Sequence, residues 1–158
     1  MKQDIPSYCF APPDEGAQAP LPECLIRYTG FLIAKVHQRL WVQFQHVFQK
    51  YGIDGPAVGI LTLLLELGSM SQQQLGRHLR VDRTTMVKLV DALEKQGLAC
   101  RKDHPDDRRV YLVEITEKGR DCAQRVQKEG EAMERALLAQ FSEDERKTIR
   151  RALVTLAG

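Results

Sequence analysis

Two helix-start signals stand eleven residues apart in the middle of this 158-residue chain, and little freedom is left between them. Ser71 and Gln74 form a capping box, in which each side chain satisfies the other residue's backbone N–H, and Met70 and Leu75 flank it as a hydrophobic staple. Asp82 repeats the signal as an N-cap, with Val81 and Met86 as the second staple. The first helix must stop near Leu79, because only Arg80 and Val81 remain to join it to the next. The spacing predicts two short helices linked by a tight turn.

The second of these helices declares which side it buries. Met86, Leu89, Val90 and Leu93 recur at i, i+3, i+4 and i+7 and face a core, so the 100° step sets Thr84, Lys88, Asp91 and Lys95 opposite. Gly97 is its stop, giving a helix over 82–96. Upstream, Leu25, Leu32, Val36, Leu40, Phe44, Val47 and Phe48 carry the stripe of one long amphipathic helix from Cys24 to Tyr51, closed by Gly52. Asp54 caps a further helix that tolerates Pro56 in its first turn; from Val58 to Leu67 it is apolar nearly all round and belongs inside a core. Downstream, Leu98–Lys102 and Val110–Ile115 read as strands around a charged, turn-rich tip at 103–109. Thr116 then caps a long helix to about Gln140, and Ser142 with Glu145 opens the last, whose stripe is Ile149, Ala152, Leu153 and Leu156.

This order of elements is that of a winged helix-turn-helix: a mainly α chain with a small β-hairpin wing (α+β) and helical extensions at both ends. Residues 1–23 hold five of the seven prolines and read as a disordered, Pro-rich tail. Residues 53–116 form the expected DNA-binding domain, with 24–52 and 117–158 as the helical dimerisation region.

Net charge is only +2, so a polyanion partner must be argued from placement. Residues 71–110 hold nine basic and six acidic side chains and form the locally basic segment. Arg83, Thr84, Thr85 and Lys88 lie on or beside the free face near the start of helix 82–96, where the positive end of the helix dipole favours phosphate. Arg108 and Arg109, at the hairpin tip, suit a narrow groove of enhanced negative potential. Such charges on an isolated helix or loop would simply be solvated; helix and wing together favour double-stranded DNA.

The stretch Leu75–Leu79, Thr84–Glu94 and Gly97-Leu98, followed by Asp106-Asp107-Arg108-Arg109 and by Leu112–Gly119, resembles the MarR regulators of bacteria from about Leu25 to the C-terminus. The resemblance implies a homodimer with interlocking terminal helices and a recognition helix in the major groove of a palindromic operator. It also implies a wing whose Arg108 enters the minor groove, braced by Asp106, and a pocket for a small, often phenolic or anionic effector between the dimer helices and the DNA-binding lobe. His37, Arg39, Trp41 and His46 are the candidates for that pocket, although an aromatic series such as Tyr28, Phe31, Trp41, Phe44 and Phe48 more often makes a core or dimer interface. Cys24, four residues before Tyr28, is similar to the helix-one cysteine of the hydroperoxide-sensing branch. It lies farther upstream and lacks the second tyrosine, so a structural thiol is expected.

No nucleophile elbow, phosphate-binding glycine loop or paired carboxylate suggests an enzyme. The four histidines and four cysteines show no HxxxH or CxxC pair, so neither metal nor other cofactor is expected. Free thiols, no apolar leader and no long apolar run point to a cytoplasmic protein without a membrane span. The expectation is a ligand-responsive transcriptional regulator, a repressor acting as a homodimer through helix 82–96 and wing 103–109. The alternative is a winged-helix module that binds protein and not DNA, which would not require the paired positive elements.

Overall fold

The computed structural model describes residues 20–103, 105 and 111–158, and the chain divides after Asp54 into two units. The first unit holds α1 (Glu23–Ile26) and α2 (Thr29–Tyr51). The expected single helix is thus broken: Tyr28 takes an extended conformation (φ −98°, ψ 107°) and caps α2 without a side-chain bond. The β-branched Thr29 and Gly30 are both weak helix formers, which makes this the cheapest place for the break. Gly52 closes α2 in the left-handed region at φ 65°, as its position predicts.

In the second unit α3 (Gly55–Leu67) supplies Ala57, Ile60, Leu61 and Leu64 to the core and packs against helices and sheet alike, as its near-uniform apolarity predicts. There follow α4 (Gln72–Leu79), α5 (Arg83–Lys95), α6 (Glu117–Leu137) and α7 (Glu143–Ala157). Both capping boxes form: Ser71 with Gln74 opens α4, and Ser142 with Glu145 opens α7. Thr116 accepts from the Gly119 N–H at the start of α6. Leu75, Met86, Val90, Leu93 and Val113 are essentially without solvent contact, which ties α4, α5 and the sheet to one core. Leu89 is only half-buried and marks the edge of the α5 stripe.

The hairpin strands are β2 (Ala99–Asp103) and β3 (Tyr111–Ile115), within a residue of expectation, but the sheet has a third member. Met70 and Ser71 form β1, which pairs antiparallel with Val113 and Leu112, so the order is β1-β3-β2. The hairpin register sets Ala99 opposite Ile115 and Asp103 opposite Tyr111.

Candidate nucleic-acid interface

The start of α5 is built by its cap. Asp82 accepts from the Thr85 backbone N–H at 3.0 Å and from the Thr85 hydroxyl at 2.6 Å. These bonds, the hydroxyl's first, hold the Asp82 carboxyl below its usual 3.8. Of the four helix candidates, Arg83, Thr84 and Lys88 are exposed with no polar partner among the bonds described, whereas the Thr85 hydroxyl is committed to the cap. Thr84 and Lys88 are one turn apart on the same face. Asp91 is exposed on that same face, as expected, and from there pairs with Arg101 of β2.

The last turn of α4 and the turn before α5 add two cations that the sequence reading does not single out. Arg77 and Arg80 line, with Arg83, Gln72, Val87 and Tyr111, an open cleft of about 860 Å³ beside the helix start. Arg80 sits at φ 53°, the one positive-φ non-glycine residue among those described, in a turn position where glycine is least strained. Its guanidinium donates to the backbone carbonyls of Ala157, at 2.8 Å, and Gly158. No periodicity signals such a residue; the shortness of the turn is the hint the sequence offers.

The far end of α5 is bolted to α6. The Thr116 N–H donates to the Leu98 carbonyl at 3.1 Å and its hydroxyl to the Gly97 carbonyl at 2.7 Å. Lys118 Nζ donates to the Gln96 carbonyl at 2.8 Å, a cation at the negative end of the α5 dipole. Gly119 lets the elements touch: a Cβ there would lie 2.0 Å from the Leu98 carbonyl oxygen.

The wing stem is β2 and β3, joined by a 2.5 Å pair between Lys102 and Glu114. Asp106, Arg108 and Arg109, the wing-tip candidates, lie outside the described residues. The effector candidates fall on two faces of α2. His37 and Trp41 stack with ring centroids 5.9 Å apart, while Arg39 and His46, both exposed, lie on the opposite side by the 100° step. One helix therefore cannot turn all four toward one ligand. Cys24 is exposed and Cys100 and Cys122 are half-buried free thiols; burial pushes the Cys122 thiol up, away from reactivity. Among the described residues no three His, Cys, Asp or Glu are grouped as metal ligands would be, and no helix is long and apolar enough to cross a membrane.

The MarR family profile matches residues 56–111. The chain is 30% identical over 97 residues to the HTH-type transcriptional repressor IacR of Pseudomonas putida, an overlap covering 61% of this chain and 58% of that protein. A probable transcriptional regulator from Pseudomonas aeruginosa has a similar solved structure, with 30% identity and a TM-score of 0.71 over 84% of this chain and 98% of that one. The structure of CouR from Rhodococcus jostii RHA1 bound to p-coumaroyl-CoA shares the fold, with 24% identity and a TM-score of 0.77 over 86% and 96% of the two chains. The matched region spans about three fifths of the length of the curated relatives.

Proposed function

Because the chain belongs to the MarR family, whose members are transcriptional regulators and not enzymes, we propose that it is a homodimeric, ligand-responsive repressor that grips a palindromic operator through α5 and the 103–109 wing. The observation that carries the reading is the division of α5. Met86, Val90 and Leu93 are buried while Arg83, Thr84 and Lys88 stand exposed beside the N-terminal end of the helix. That is the arrangement a helix needs to keep one side on its core and offer the other to a major groove. Arg77 and Arg83 beside the cleft add phosphate contacts, and Thr85 acts through the cap that aims its neighbours. Arg108 and Arg109 supply the minor-groove contact, with Asp106 as the brace.

Dimerisation falls to residues 24–52 and 117–158, and DNA binding to 53–116. Support for the former comes from the exposed Leu25, Ile26, Ile33 and Val36 in the first unit and Leu153 and Leu156 on α7, apolar positions that a second copy would cover. The effector is a small molecule met by the His37–Trp41 face of α2; Arg39 and His46 face elsewhere. That CouR is bound to p-coumaroyl-CoA and IacR is named a repressor supports ligand response and repression for this chain also. The protein acts in the cytoplasm, where its DNA is.

The test is selection from a random palindromic duplex pool, followed by affinity measurement at several salt concentrations for the parent and for Arg108→Ala. The parent is expected to enrich a two-fold symmetric site, and Arg108→Ala to flatten the slope of log affinity against log salt by about 1.8 per dimer. A parent that enriches nothing, with the slope unchanged in the variant, would favour the protein-binding reading.

A further inference from the structure

We propose that Arg101 is the positioning residue that fixes α5 against the wing stem, and so sets the register in which helix and wing meet DNA; the inference rests on the DNA-binding reading above. Arg101 sits in β2, an edge strand of the sheet, and its guanidinium gathers acceptors from two other elements. Nη2 donates to Asp91 Oδ1 at 2.7 Å and Nη1 to Glu94 Oε2, both on α5. With its amide turned so that the oxygen faces the guanidinium, Gln72, the first residue of α4, accepts from Nε at 2.9 Å and Nη2 at 3.2 Å.

The backbone joins in. The Arg101 N–H donates to the other Glu94 oxygen at 2.7 Å, so one carboxylate binds both the side chain and a donor of the edge strand. The Arg101 side chain is only 22% exposed, which leaves its attraction to the two carboxylates less screened than that of a surface pair.

A guanidinium is a planar fork whose donors point in fixed directions, so binding three acceptors fixes orientation as well as distance. Asp91 and Glu94 are one turn apart on α5, and a fork spanning them resists both rotation of the helix and sliding along the strand. The same pairing neutralises Asp91, which shares the Thr84 and Lys88 face and would otherwise set a bare carboxylate toward phosphate. The groove-reading side chains of α5 and the stem formed by β2 and β3 are thereby held at one mutual angle. Arg101 need touch no base to affect sequence preference.

Arg101→Lys tests this because it keeps the charge and removes the fork; Glu94→Gln is the milder second variant. Each is measured with a duplex selected by the parent from a random palindromic pool and with a scrambled duplex of equal length, below the melting transition of every variant. Arg101→Lys is expected to lose about tenfold of the selected-to-scrambled affinity ratio, with scrambled-duplex affinity and salt slope unchanged. Glu94→Gln should lose less, and the double variant no more than Arg101→Lys, since both break one connection. Variants that keep the parent's ratio would overturn the proposal alone. A salt slope reduced by about 0.9 per lost contact would overturn it by making Arg101 a phosphate ligand. A parent that prefers no duplex would remove the DNA-binding reading and the proposal together.

Discussion

Gly119→Ala sets two opposed effects against each other at the joint between α5 and α6. Replacing glycine by alanine inside a helix ordinarily stabilises by about 1 kcal/mol. Here the new Cβ would lie 2.0 Å from the Leu98 carbonyl oxygen, and 2.9 Å from its carbonyl carbon and from Ile115 Cγ1. The oxygen is backbone and cannot rotate aside, so α6 must retreat by roughly 1 Å to restore a tolerable contact. Overpacking of this kind costs about 1–3 kcal/mol. The retreat also stretches the Thr116 N–H bond to the same carbonyl, worth about 1 kcal/mol net. The clash wins over propensity, and the net destabilisation is about 1–3 kcal/mol. For a chain of this length the melting midpoint should fall by about 2–4 °C per kcal/mol. Urea unfolding at one fixed protein concentration measures the change without confusing it with dissociation. A variant as stable as the parent, or more so, would refute the close approach and leave α6 without a rigid hold on α5.

Three further outcomes are expected. Lys88→Ala should reduce discrimination between selected and scrambled duplexes by about 1–3 kcal/mol if the amine reads a base edge, and competition binding checks this; equal weakening on both would make it a phosphate contact. Leu153→Glu with Leu156→Glu should convert a dimer into a monomer by sedimentation, because charge then replaces the exposed apolar stripe of α7; an intact dimer would move the interface elsewhere. Asp82→Asn keeps the cap oxygen and removes the charge. The carboxyl is held below 3.8 in the fold, so its ionised form adds stability above that pH and loses it as pH falls through the folded value; the parent–variant gap in melting midpoint should close in acid.

Much of the fold is legible because its boundaries are written locally. Ser71 with Gln74, Asp82, Thr116, and Ser142 with Glu145 each satisfy helix donors within three residues, and Gly52 and Gly97 adopt the positive φ that a helix end favours. What was missed depends on distance along the chain. β1 has two residues and exists only through pairing with β3 some forty residues later, so no local pattern announces it. Arg101 reads as an ordinary strand cation until Gln72, Asp91 and Glu94 are brought to it. The helix periodicity of residues 24–51 does not announce the break at Tyr28, because the spacing of apolar residues in the sequence runs on across a single extended residue. At the interface, exposure of Arg83, Thr84 and Lys88 follows from helical phase, whereas the commitment of Thr85 to the cap and of Asp91 to β2 follows only from three-dimensional neighbours.

Ser71 belongs to two structures at once: its backbone ends β1 against β3, and its hydroxyl caps α4. Pulling β1 from the sheet would therefore expose the first turn of α4, and fraying α4 would release the strand. Local opening must take both or neither, which makes the stem of the wing and the helix-turn-helix one cooperative unit in amide exchange. A single-residue insertion between Gly68 and Ser71 would be felt twice, once as a slip of register that turns Met70 out of the core and once as a displaced helix start. The corner cannot be lengthened without separating the strand from the helix that the same residue caps.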